Sequence, residues 1–165
     1  MTFTTDELHR DALEMQSILR DSECFKRHQA ISLDKLSELL TALATGGKIT
    51  SRNTAGHDVV APIGKIEVKS RVLGTDGPFP RVSLRPNKLE ADYVMAVRWT
   101  SDCVLHAAYL LPAASVRPLF SERLQASGSL AHIAWQKWIA APLVSNFTEK
   151  FERVLASLPA TSSAS

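Results

Sequence analysis

The stretch Asn53-Thr54-Ala55-Gly56-His57-Asp58-Val59-Val60, continued after Ala61-Pro62-Ile63 by Gly64-Lys65-Ile66-Glu67-Val68-Lys69-Ser70-Arg71, decides the fold. Its apolar residues are β-branched and come in short runs, and Gly56, the Pro62-Ile63-Gly64 group and Gly74 punctuate them. That pattern predicts strands over 48–52, 58–62 and 65–73. Side chains alternate along a strand, so Glu67 and Lys69 share a face while Ile66 and Val68 turn to the opposite, buried one. A hairpin joining the last two strands brings Asp58 beside that pair. Two carboxylates and an ammonium would then converge. Partly buried carboxylates are costly without a compensating charge, and an all-oxygen donor set suits Mg²⁺ or Mn²⁺. Crowding of this kind also predicts that removing either carboxylate relieves repulsion in the metal-free protein.

Upstream of this stretch the apolar period is close to 3.6. Thr4-Thr5-Asp6-Glu7 has the form of a capping box, and Leu8, Ala12, Met15 and Leu19 follow at helical spacing, which predicts a helix over 5–22. Ser32 caps a second helix over 33–45, with Leu33, Leu36, Leu40 and Leu43 on one stripe and Gly46-Gly47 as its left-handed stop. Downstream, Tyr93 to Trp99 and Val104 to Leu111 read as strands joined by a turn at Thr100-Ser101-Asp102. Arg81 to Leu89 fits either a strand or a short helix, because Pro86 and Asn87 break it. From Pro112 onward the sequence reads as helical: one segment is capped by Gly128, another spans 130–143, and a last one is marked by Phe147, Phe151, Val154, Leu155 and Leu158. Residues 1–160 are expected to form a single domain, with a frayed tail over 161–165.

Asp58-x8-Glu67-Val68-Lys69 resembles the PD-(D/E)XK, or restriction-endonuclease-like, nuclease superfamily, whose motif is an acid on one strand and (D/E)-x-K on the next. The residue before Asp58 is His57 rather than Pro, a position the superfamily varies. The Asn53-x-x-Gly56-x-Asp58 approach is similar to members with an N-x-x-G-x-D lead-in. The resemblance covers residues 33–111 and implies an α/β fold with an αβββαβ core: a mixed central sheet flanked by helices, with extra C-terminal helices. It implies a metal-dependent endonuclease that hydrolyses DNA phosphodiester bonds. Asp58 and Glu67 would be metal ligands and Lys69 the catalytic ammonium. Many members add an acid from the helix before the hairpin, and Glu38 is the best placed here, a solvated helix glutamate being the plain alternative. A non-catalytic module that keeps the fold to bind nucleic acid or protein is the competing function. A surface cross-strand Glu67–Lys69 pair, with Asp58 capping a turn, is the competing structure.

Charge distribution agrees with a polyanionic partner. The net charge is only +2, but residues 46–99 hold nine Lys and Arg against five acids, whereas the rest of the chain holds ten against twelve. Arg71 shares the parity of Lys69. Arg81, Arg85 and Lys88 follow a Gly/Pro-rich loop, and these four are the expected backbone contacts. DNA is the expected substrate, with RNA as the alternative. A core of this size leaves little room for a recognition domain, so a homodimer or larger assembly is the expected way to add specificity. Cys24 and Cys103 have no metal-binding or disulfide spacing. No stretch approaches the roughly 20 apolar residues of a membrane span, and the acidic N-terminus lacks the form of an export signal, so cytoplasmic location is expected. His57 faces away from its neighbour Asp58. His9, His28, His106 and His132 lack ligand spacing.

Overall fold

The computed structural model describes residues 2–51, 54–74, 81–122 and 129–158. Its centre is the hairpin of the opening stretch. Strand β2 (Val59–Ala61) pairs antiparallel with β3 (Gly64–Val72) through Val59↔Ile66, Val60↔Lys65 and Ala61↔Gly64. The turn between them ends on Gly64 at φ +139, where a Cβ would lie 2.6 Å from Oδ2 of Asp92. That oxygen accepts from the Lys65 N–H, so the turn is pinned by a side chain that leaves room only for glycine.

Around the hairpin stands a six-stranded sheet in the order β1-β2-β3-β5-β6-β8. β1 (Lys48–Ile49) is antiparallel to β2, β3 is parallel to β5 (Tyr93–Trp99), β6 (Leu105–Pro112) is antiparallel to β5, and β8 (Ser145–Asn146) closes the far edge. The crossover from β3 to β5 carries β4 (Arg81–Leu84) and a 3₁₀ turn (Pro86–Lys88). β4 pairs with β7 (Ala131–Ala134) in a separate two-stranded ribbon.

One core lies on each face of the sheet. On the first, Val59, Ile66, Val68, Met95, Val97 and Trp99 pack with helices α3 (Leu33–Thr45) and α6 (Thr148–Ser157). On the second, Val94, Ala96 and Leu111 pack with the β4–β7 ribbon and with α4 (Ala113–Val116) and α5 (Trp135–Ile139). Helix α3 matches its expected bounds. Ser32 Oγ accepts from the Lys35 N–H at 3.1 Å, and Gly46 ends the helix at φ +68. Such a cap contributes about 1 kcal/mol. Full burial of Leu40 and Ile66 contributes about 1.5–3 kcal/mol each, so packing decides where the helix sits.

One expectation needs correction, and three features go beyond what the periodicity shows. The segment 130–143 is not one helix: it begins as β7, and the helical part is the short α5. The first helix stops at Asp21, where Ser22 caps a separate α2 (Glu23–His28). Its stripe is not core, since α1 (Thr5–Asp21) buries no residue and Leu8 and Met15 are 54% and 61% exposed. Leu43 is likewise exposed, and the buried side of α3 runs through Ser37, Leu40 and Thr41. Asn53, Gly128 and the tail 161–165 lie outside the described residues. No described helix is long and apolar enough to cross a membrane.

Candidate active site

β2 begins at Val59, so among the described residues the edge of β3 beyond Ile66 has no partner strand there. The backbone slips by one residue at this point: the Asp58 N–H donates to the Ile66 carbonyl, which stands opposite Val59. Asp58 then fills the next ladder position with its side chain, and Oδ2 accepts from the Val68 N–H at 2.7 Å. Thr50 holds the slipped segment from the other side, its N–H donating to the Asp58 carbonyl at 2.9 Å.

Glu67 and Lys69 project from the face of β3 opposite Ile66 and Val68, as the alternation predicts, and pair at 2.6 Å with side chains 17% and 37% exposed. Lys69 lies where two cavities meet. One, of about 420 Å³, is lined by Asp34, Glu38, Asp58, Ser70, Arg71 and the Lys69 side chain, among others. The other, of about 370 Å³, is lined by Gly56, Glu67, Lys69, Arg85 and Lys88, with Ser83 and Leu130 common to both. The expected residues therefore divide. Asp58, Glu38, Arg71 and Lys69 share the acidic cavity, while Glu67, Lys69, Arg85 and Lys88 share the basic one. Arg81 lines neither and lies one strand away, where its carbonyl accepts from Arg71 Nε at 3.3 Å.

Glu38 reaches the site because α3 lies across β3. Asp34 one turn earlier accepts a hydrogen bond from the Ser70 hydroxyl, and Lys35 pairs with Glu38. Removal from water holds the Glu38 carboxyl above its usual range; Lys35 opposes that shift and the negative charge of Asp58 adds to it. Its carboxylate is thus more than a solvated helix glutamate.

As they stand, no three His, Cys, Asp or Glu side chains among the described residues are close enough to share one ion. The donor chemistry nonetheless suits a hard cation: Asp58 has a second oxygen free of the Val68 bond, Glu38 lines the same cavity, and Glu67 opens on the adjoining one.

Two features escaped the sequence reading. Ser83 on β4 lies across from His132 on β7, with Oγ 2.9 Å from Nδ1, which ties the imidazole to a serine that lines both cavities. Arg98 on β5 lies beside Arg71 in the parallel register and stacks over the Trp135 ring at 4.5 Å. Neither carries a motif; the first depends on a strand that reads as helix. No protein-family model matches this chain, and no curated protein matches it.

Proposed function

We propose that the chain is a metal-dependent nuclease of the PD-(D/E)XK type that hydrolyses DNA phosphodiester bonds. The observation that carries the reading is the Glu67–Lys69 pair on β3 next to a carboxylate, Asp58, fixed by its bond to Val68. The order of elements supports it: a helix, a three-strand antiparallel meander, a crossover and a parallel fourth strand. Where the family has a helix, the described residues of the crossover carry β4 and a 3₁₀ turn.

Asp58 and Glu38, which line one cavity, would hold the cation, Mg²⁺ or Mn²⁺, and Glu67 would join them only by turning its side chain from Lys69 toward that cavity. When bound, it lowers the pKa of a water and polarises the scissile phosphate. Asp58 contributes the oxygen not committed to Val68. Lys69 leaves its contact with Glu67 to orient the attacking water and to offset the charge that develops on phosphorus. Arg71, Arg81, Arg85 and Lys88 neutralise the flanking phosphates and hold the strand in register.

Cleavage of plasmid and oligonucleotide DNA with Mg²⁺ or Mn²⁺, and with chelator, tests the reading. Metal-dependent cutting that is lost in Glu67→Gln supports it. DNA binding that is equal in chelator and metal, without cutting, would make the chain a non-catalytic module on the same fold. Cutting confined to RNA would change the substrate and keep the chemistry.

A further inference from the structure

A group of cations adjoins the two cavities of the candidate site and adds Arg98 to the residues already assigned there. Lys69, Arg71, Arg81, Arg98, Val82, Ala96, Val97 and Trp135 surround a void of about 10 Å³. Arg71 and Arg98 are side by side on parallel strands, and Arg81 opens β4, its carbonyl accepting from Arg71 Nε. Neither Arg81 nor Arg98 forms an ion pair with a carboxylate of the described residues. Arg98 Nε is buried with no hydrogen-bond acceptor, and the only described partner of its guanidinium is the face of Trp135. Like charges held together, one of them partly withdrawn from water, are a costly arrangement that an anion relieves.

We propose that Arg71, Arg81 and Arg98 form a second phosphate subsite, which takes the phosphodiester next to the one at Lys69. The inference rests on the nuclease reading for the identity of the ligand, and on the cation cluster for the subsite itself. Two observations support it. Lys69 lines all three cavities, so the subsite is continuous with the candidate site. Arg71 lies two residues along β3 from Lys69, about 6.6 Å of strand, a step suited to successive phosphates of an extended strand. The void is on the scale of one water and its walls are mostly apolar, so the phosphate meets the guanidinium groups at its rim rather than inside it. Guanidinium forks suit that geometry, because their planar donors meet two oxygens at once. Trp135 holds Arg98 in place through its ring face, and its own ring meets Tyr109 edge-on at 5.6 Å.

The direct probe is inorganic phosphate, read as a shift in melting temperature against chloride at equal ionic strength in the full chain without divalent metal. Any ligand that binds only the folded state raises that temperature. The general salting effect of phosphate is common to all variants, so the comparison is between them. Arg20→Gln, on exposed α1, should keep the wild-type shift. Arg81→Gln and Arg98→Gln should each lose at least half of it, and Arg98→Lys serves where loss of the Trp135 stack weakens the fold. The second readout is the salt dependence of affinity for a single-stranded oligothymidylate in Ca²⁺, whose slope should fall by about 0.7 in each glutamine variant. Equal phosphate shifts in all proteins, or unchanged slopes, overturn the subsite. Variant-sensitive phosphate binding by a chain that cuts no nucleic acid would keep the subsite and remove the nuclease reading. Cutting with unaltered slopes would do the reverse.

Discussion

Oδ2 of Asp58 and the backbone nitrogen of Val68 are 2.7 Å apart, and the carboxylate takes the place that a strand carbonyl would hold in a continued ladder. Asp58 is therefore a structural acceptor as well as a candidate ligand. This reverses the expectation that its removal relieves repulsion. Asp58→Ala leaves the Val68 N–H without its acceptor and should cost about 1–3 kcal/mol in denaturant unfolding. Asp58→Asn keeps an acceptor oxygen and should lose less stability while losing metal-dependent cleavage. Equal destabilisation by both would show that charge, not the hydrogen bond, holds the turn.

Lys69→Ala should lower the single-turnover cleavage rate by at least about a hundredfold, since the proposed reaction needs its charge where negative charge develops. DNA affinity measured in Ca²⁺ should stay within roughly tenfold, because one phosphate contact is a small share of several. Equal losses in rate and affinity would make Lys69 an ordinary backbone contact.

Glu38 sets a pH dependence that can be read without divalent metal. Burial raises its folded pKa above the usual 4.5, against the opposing Lys35 and with the help of Asp58. The folded protein then holds the Glu38 proton more tightly than the unfolded chain does. Its unfavourable contribution is absent below the usual value, grows as pH rises through the raised one, and persists above it. Glu38→Gln should accordingly be more stable than wild type at neutral pH, with the difference disappearing in acid. A difference of constant size across that window would assign the effect to packing.

Ser37 is fully buried on α3, donates to the Leu33 carbonyl at 2.7 Å and accepts from Trp99 Nε1 at 2.9 Å. Ser37→Ala strands the indole N–H inside the core and should cost about 1–3 kcal/mol in thermal or denaturant unfolding. Ser37→Thr keeps the hydroxyl and tests the room around it. An alanine variant as stable as wild type would mean that the indole finds another acceptor.

The parts of the site that were legible in the sequence are those set by strand parity. Glu67 and Lys69 alternate with Ile66 and Val68, and β-branched neighbours leave little doubt about the period. Asp58 could be placed near them, but not its slip out of register, which depends on where β2 begins. Ala131 to Ala134 was illegible as strand. Leu130, Ile133, Trp138 and Ala141 recur at helical intervals, and only pairing with β4 turns the first part into β7. The Ser83–His132 pair was hidden with it. Arg98 was lost inside the apolar run of β5, where its meaning comes from Arg71 on a strand far away in sequence.

The hydrogen bond from Val68 to Asp58 spans ten residues of chain, whereas Arg98 reaches Arg71 only through the β3–β5 crossover. The two halves of the site thus differ in contact order. A hairpin closes in about 1–10 μs, and parallel strand pairing across a long connection is slower. The Asp58–Lys69 half should be assembled before the guanidinium cluster joins it. Pulse-labelled hydrogen exchange would then protect the Val68 amide ahead of the β5 amides, leaving a folding intermediate with Asp58 in position beside Val68 and Arg71 and Arg98 still apart.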